Sequence, residues 1–272
     1  MIMDSDVPGI EMRKMGSTGE KVSSIGLGTY GISNYKAAEE AFYYAIDRGV
    51  SLIDTAEIYN TEDFVGNVIK KVGRENLFIT TKVAPKNLTS KERTIKAARG
   101  SLNRLGIESV DLILIHWPHD TMSISDQIKN IEAVQKEGLT RYIGVSNFSV
   151  EQMEEARLST SSTEVVCNQV KYNLDEREIE RDVIPCCERN AISVVAYTPI
   201  SKGKSSKSRE MKQITNTTGK TPIQISLNFL LRKPGVIPIP KTENIEHMRE
   251  ILGAMGWKLN DDETALLEKR TA

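Results

Sequence analysis

Eight short apolar runs, each followed by a segment with helical spacing, constrain this chain more than any other feature. The runs are IGLGT (25–29), LIDT (52–55), LFITTK (77–82), DLILIH (111–116), YIGVS (142–146), VVCNQ (165–169), ISVVAYT (192–198) and VIPIP (236–240). The helical segments are 36–48, 62–71, 91–105, 124–137, 150–158, 176–190, 222–232 and 243–254. In 91–105, for example, Ile95, Ala98, Leu102 and Leu105 fall on one face. The runs lack clean polar/apolar alternation, as expected of parallel strands covered on both faces. Eight βα units in 272 residues is the arithmetic of a (β/α)8 TIM barrel. Strand count alone leaves a doubly wound sheet as a rival. No composition break marks a linker, so residues 1–272 read as a single α/β domain.

Ahead of the first unit, residues 10–24 read as a β-hairpin around the turn-rich stretch from Gly16 to Gly19, placed to plug the bottom of a barrel. Residues 200–212, rich in Lys and Ser, read as a mobile loop leading into a short helix. Near the end, DDETALLEKR reads as helical.

The bulk properties exclude several function classes. A net charge of −1 offers no basic stripe for nucleic acid. No window approaches the ~18 apolar residues of a membrane span. The first residues, MIMDSDVPGIEM, lack the pattern of a signal peptide. Three cysteines, Cys167, Cys186 and Cys187, make no disulfide framework and read as small buried residues in a reducing, cytoplasmic setting.

The polar residues at the C-terminal ends of the runs are Gly28, Thr29 and Tyr30; Asp54; Lys82; His116; Ser146 and Asn147; Asn168 and Gln169; Tyr197 and Thr198; and Lys241 and Thr242. Active sites of (β/α)8 barrels sit at that face. Each residue taken alone has a plainer reading. Asp54 fits a helix cap, Lys82 a side chain emerging into solvent, His116 a satisfied structural histidine and Tyr197 core packing. His116 and His119 flank Pro118 without a Cys or carboxylate cluster, so no metal site is expected. Taken together, Asp54, Tyr59, Lys82 and His116 suit proton delivery to an oxygen that gains negative charge. Tyrosine has an unperturbed pKa of about 10. A lysine ammonium beside it favours tyrosinate, a carboxylate holds the lysine, and a neutral histidine orients a carbonyl. With no obvious nucleophile and no metal, hydride transfer from a cofactor to a carbonyl is the matching chemistry.

In these residues and their order, the chain resembles the aldo-keto reductase family over roughly residues 10–260. The resemblance rests on GLGTY (26–30), the DTA-x-x-Y of Asp54 to Tyr59 with Val65-Gly66 after it, and TTK ending at Lys82. It continues through SLNRLGIESVDLILIHWP (101–118), IGVSNF (143–148), NQVKYN (168–173), VVAYTPI (194–200) and VIPIPKT (236–242). It implies a barrel closed below by the hairpin, and a catalytic tetrad of Asp54, Tyr59, Lys82 and His116. Tyr59 is then the general acid in reduction, with its pKa lowered by Lys82.

The resemblance also implies a nicotinamide dinucleotide bound without a G-x-G-x-x-G loop, which the chain lacks. Ser146, Asn147 and Gln169 are expected at the carboxamide and Tyr197 against the nicotinamide ring. Gly28, Thr29 and Asp54 are expected at the ribose, Thr198, Ile200 and Ser201 at the pyrophosphate, and Lys241 and Thr242 at an adenosine 2′-phosphate. The family's arginine five residues after Thr242 is His247 here, which brings little charge at neutral pH. Arg249 is close enough in sequence to substitute, Glu250 matches a family acid at the adenine, and Ile251 replaces the usual Asn. NADP(H) is the expected cofactor, with NAD(H) or dual use as the alternative.

A short segment after His116, PHDTMSIS, and the end at Ala272 resemble the shorter microbial-type members with an open pocket. Tyr30 and Trp117 are expected to line it beside Tyr59 and His116. The expected protein is a monomeric carbonyl reductase acting on a small molecule, with no nucleic-acid or membrane partner. Rival readings are a nicotinamide-binding regulatory subunit with little turnover and a Schiff-base lyase using Lys82.

Overall fold

The computed structural model describes residues 9–201 and 205–269. Strands β1 (Met12–Lys14) and β2 (Lys21–Ser23) pair antiparallel as the expected hairpin. The next eight strands form one parallel sheet in chain order. They are β3 (Leu27–Gly28), β4 (Leu52–Asp54), β5 (Phe78–Val83), β6 (Val110–Ile115), β7 (Thr140–Ser146), β8 (Val165–Lys171), β9 (Ser193–Tyr197) and β10 (Val236–Pro238). Helices follow the strands: α1 (Tyr35–Asp47), α2 (Glu62–Val72), α3 (Lys91–Leu105), α4 (Ile124–Lys136), α5 (Val150–Ser159), α6 (Val183–Arg189), α7 (Arg209–Thr218), α8 (Pro222–Leu231) and α9 (Ile245–Leu252). A further helix, α10 (Asp261–Glu268), lies in the expected C-terminal stretch, whose Arg270 falls outside the described residues. Polar side chains start these helices. Ser90, Ser123, Ser149, Ser208, Thr221, Asn244 and Asn260 each accept a first-turn N–H.

The sheet curls into a (β/α)8 barrel whose seam lies between β10 and β3. There the Gly26 N–H donates to Pro238 O at 2.9 Å and the Gly28 N–H to Pro240 O at 3.0 Å. Proline has no N–H to return, so the seam bonds in one direction only. A Cβ on Gly28 would lie 2.7 Å from Ile239 O, so this approach requires glycine.

Two apolar clusters follow from the barrel's two faces. Leu52, Phe78, Leu112, Leu114, Cys167, Val195 and Ile237 fill the interior, and the hairpin adds Met15 and Val22 from below, both fully buried. Outward residues such as Ile53, Ile79, Ile113 and Val194 pack beneath the helices. All three cysteines are buried thiols. Among the described residues, no helix is long and apolar enough to cross a membrane.

Two sequence expectations are corrected. Segment 176–190 is not one helix: it holds a single 3-10 turn at Glu178–Glu180 and then α6 from Val183. Pro185 explains the late start, because proline fits a helix's first turn, where no intrahelical N–H bond is lost. The loop at 200–212 ends early, since a 3-10 turn covers Ser205–Lys207 and α7 begins at Arg209. Its residues 202–204 lie outside the described residues.

Candidate active site

Strand alternation builds the site. In each barrel strand the inward residues recur every second position. Counting up from the interior cluster, Leu52 leads to Asp54, Phe78 through Thr80 to Lys82, and Leu112 through Leu114 to His116. Cys167 leads to Gln169 and Val195 to Tyr197, while Ser146 closes β7. These topmost side chains surround a cleft of about 470 Å³. Gly28, Thr29, Tyr30, Asp54, Tyr59, His116, Trp117, Ser146, Asn147, Gln169, Tyr197, Thr198, Ile200 and Lys241 all line it.

Lys82 does not line the cleft, because it lies wholly buried beneath the floor. Its Nζ donates to Asp54 Oδ1 at 2.6 Å and to Thr55 O at 2.8 Å. Gln169 Nε2 donates to the other Asp54 oxygen at 2.7 Å. Burial raises the Asp54 carboxyl and lowers the Lys82 ammonium, and the 2.6 Å contact opposes both shifts. A committed, enclosed ammonium is poorly placed to form a Schiff base.

The Lys82 ammonium also sits 4.8 Å from the centre of the Tyr59 ring. The Tyr59 hydroxyl lies 3.2 Å from His116 Nε2. His116 Nδ1 is buried and has no partner among the described residues, so the proton is assigned to Nε2, where it is satisfied. Burial, with the Lys82 charge second, pushes the His116 imidazole down to about 3, which keeps the ring neutral. A neutral Nε2–H donating to Tyr59 leaves the phenol proton free to face the cleft. The expected lowering of the Tyr59 pKa by Lys82 is not met. Burial raises the phenol, and the Asp54 charge adds to the rise. The lysine's charge is balanced by the carboxylate 2.6 Å away, so burial dominates.

A second polar set lies beside this group. Asn147 Nδ2 donates to His116 O and to Ser146 Oγ, each at 3.1 Å, and its Oδ1 accepts from Tyr197 OH at 2.9 Å. Ser146 Oγ donates to Gln169 O at 2.8 Å. Gln169 Oε1 accepts nothing from the described residues, which leaves one amide oxygen for a ligand. Asn147 (φ 62°) and Thr198 (φ 50°) take left-handed backbone directly after β7 and β9. That conformation is unusual for a β-branched residue such as Thr198.

Four expected residues stand away from the cleft lining: Ser201, Thr242, His247 and Glu250. The Thr242 hydroxyl is buried in its own turn, where it accepts from Asn244 N at 3.0 Å. His247 is exposed in the first turn of α9, and Glu250 is half-buried further along. Arg249, named as the nearby substitute, lies over the Tyr44 ring of α1, 4.9 Å from its centre. Lys241 lines the cleft but pairs with Glu243 at 3.1 Å.

Sequence reading missed Ile58, Pro199, Ile239 and Pro240, all of which line the cleft. Ile58 carried a signal, as an apolar residue immediately before Tyr59. It is 44% exposed and forms an apolar rim with Tyr30 (73%) and Trp117 (42%).

The aldo/keto reductase family model matches residues 24–271. The chain belongs to that family. It is 33% identical over 246 residues to a methylglyoxal reductase, DkgB, of Yersinia pestis, covering 89% of this chain and 90% of that protein. Among solved structures, a thermostable aldo-keto reductase in complex with the inhibitor epalrestat superposes with a TM-score of 0.90 at 38% identity, covering 96% of this chain and 99% of the other. An aldo/keto reductase from Klebsiella pneumoniae in complex with NADP and acetate superposes with a TM-score of 0.88 at 31% identity, covering 96% and 95%.

Proposed function

We propose that this aldo/keto reductase reduces aldehydes or ketones to alcohols, with NADP(H) as its cofactor and Tyr59 as the proton donor. The observation that carries the reading is the Tyr59 hydroxyl 3.2 Å from a neutral His116 Nε2, backed by the Lys82–Asp54 pair. The residues beside it suit a nicotinamide. Ser146, Asn147 and Gln169 would hold the carboxamide, and the half-buried Tyr197 offers its ring as a flat surface. Gly28, Thr29 and Asp54, which line the same cleft, would face the ribose side. Thr198, Ile200 and Ser201 would meet the pyrophosphate. Lys241 is the group for a 2′-phosphate, with Thr242, His247 and Glu250 around the adenosine end. The 31%-identical Klebsiella pneumoniae enzyme in complex with NADP supports that choice.

When bound, the cofactor supplies a hydride to the carbonyl carbon. The protein's part is to orient the oxygen and deliver the proton. With a carbonyl bound, the His116 Nε2–H would pass from the Tyr59 oxygen to the carbonyl oxygen, so that it and the Tyr59 O–H would both meet the negative charge as it grows. Tyr59 then gives its proton to the oxygen. A raised phenol pKa keeps that proton in place until charge appears on the substrate oxygen.

The test is oxidation of NADPH with a panel of aliphatic, aromatic and sugar aldehydes plus methylglyoxal, the last chosen because a relative is named for it. Turnover of at least one carbonyl, lost in Tyr59→Phe, is expected. Absence of turnover across the panel, or an unimpaired Tyr59→Phe, overturns the reading.

A further inference from the structure

Three buried threonine hydroxyls run in a chain beneath the loop that carries Tyr59. Thr29 Oγ1 donates to Asp54 O at 2.9 Å, so its single proton is committed. The 2.9 Å contact between Thr29 and Thr61 must therefore have Thr61 as donor. That commits the Thr61 proton, and the 3.0 Å contact between Thr55 and Thr61 must have Thr55 as donor. The chain thus runs in one direction, from Thr55 through Thr61 and Thr29 to the backbone of Asp54. All three side chains are at most 1% exposed.

Thr61 occupies the N-cap of α2, where a threonine hydroxyl ordinarily accepts a first-turn N–H. Here it makes no side-chain cap bond. Its oxygen accepts from Thr55 instead, and its proton goes to Thr29. The segment between Thr55 and Thr61 is a six-residue step closed at its base by this hydroxyl pair. Within the loop, Glu57 N bonds to Lys82 O at 3.3 Å, Tyr59 N to Ala56 O at 3.0 Å and Tyr35 OH to Asn60 O at 2.6 Å, and the Glu57 carboxylate accepts from Ala84 N and from Asn87 Nδ2, which hold the middle of the loop but not its base. Asn60 is held at φ 57°. Thr55 also binds Lys82 Nζ through its carbonyl at 2.8 Å, and Thr29 lines the cleft. One chain of hydroxyls therefore joins the buried lysine, the base of the Tyr59 loop and the cleft wall.

We infer that Thr61 is a positioning residue for Tyr59: its hydroxyl, withdrawn from helix capping, clamps the base of the Tyr59 loop to the ends of β3 and β4. This rests on the reading of Tyr59 as proton donor. A small misplacement of a reacting group is costly, so loss of the clamp acts on turnover rather than on binding.

Two variants test it. Thr61→Val keeps the shape and removes the hydroxyl; Thr61→Ser keeps the hydroxyl and removes the methyl. In Thr61→Val, kcat is expected to fall about 10- to 100-fold, with the KM for the carbonyl and the Kd for NADPH within about twofold of wild type. Hydrogen exchange of the amides from residue 56 to 60, measured without ligand, is expected to speed up about five- to tenfold. Thr61→Ser restores both. The inference is overturned if Thr61→Val keeps wild-type kcat, if exchange in the loop does not change, or if Thr61→Ser is as impaired as Thr61→Val. If the wild-type protein turns over no carbonyl, the functional reading falls by itself. The exchange data then still decide whether Thr61 holds the loop.

Discussion

The floor of the cleft and its outer end, where α9 begins, are built differently. On the floor, Asp54, His116, Ser146 and Gln169, with Lys82 just beneath them, are nearly or fully buried. Each is the topmost inward residue of a strand, and most of their polar atoms are paired. At the outer end, Lys241 and His247 are exposed and stand on a loop and a helix start. Barrel geometry holds the floor, so changes there should be severe. Side-chain charge governs the outer end, so changes there should be graded and sensitive to salt.

The largest expected effect breaks the floor at its proton donor. Tyr59→Phe removes one oxygen, and kcat is expected to drop about 10²- to 10⁴-fold. Cofactor affinity, read by titrating the protein's fluorescence, should stay near wild type. A parallel loss of cofactor binding would mean that Tyr59 acts on the shape of the cleft instead.

The second prediction concerns the pair beneath the floor. Lys82→Met leaves Asp54 buried and without its cation, a change that costs about 3–5 kcal/mol. Denaturant unfolding should show that loss. The double variant Lys82→Met with Asp54→Leu should recover much of it, because replacing a whole buried pair by apolar groups is far milder than breaking it. Equal destabilisation in the single and double variants would show that the pair's charges do not set the cost.

The floor was legible in the sequence because its residues obey two short-range rules. Asp54, Lys82 and His116 each end an apolar run, and period-two counting within a strand assigns them to one face. The hairpin was legible for a similar reason, since two short runs flank a glycine-rich turn. The outer end was less so. Thr242 turned into its own loop, and Arg249 turned to Tyr44. Both depend on loop conformation and on which neighbour a helix packs against. The Thr61 clamp was hidden too, because its partners Thr29 and Thr55 meet it only through the fold of the Tyr59 loop against β3. The direction of the Tyr59 shift depended on how far Asp54 balances Lys82 and how deeply the ring is buried, neither of which is local in sequence.

A third, smaller effect is a pH dependence of stability centred on His116. Its folded pKa of about 3 lies below the ordinary value of 6.5. Between those values the unfolded chain binds a proton that the folded chain refuses. Stability from this group is therefore present above about pH 6.5 and is lost as pH falls toward 3. Melting temperature should decline through that window, and His116→Asn should flatten the slope. An unchanged slope in that variant would assign the acid sensitivity to other groups.

The smallest expected effect sharpens the contrast at the outer end. Glu243 pairs with Lys241 at 3.1 Å and accepts the Ser33 N–H at 2.6 Å. Those contacts hold the Glu243 carboxyl below its ordinary pKa, so it is charged at neutral pH. It stands where a 2′-phosphate would seek Lys241, and two like charges there repel. A ribose 2′-hydroxyl would meet no such penalty. Glu243→Gln keeps an acceptor for Ser33 and removes only the charge. It should tighten NADPH about three- to tenfold and leave NADH nearly unchanged. His247→Arg should act in the same direction by adding a cation that the exposed imidazole does not supply at neutral pH. Both gains should shrink as salt rises, because the screening length falls from about 10 Å at 0.1 M to about 3 Å at 1 M. If Glu243→Gln shifts both cofactors together, the Glu243 pair serves to tether the loop to Ser33, and selectivity is set elsewhere along the cleft.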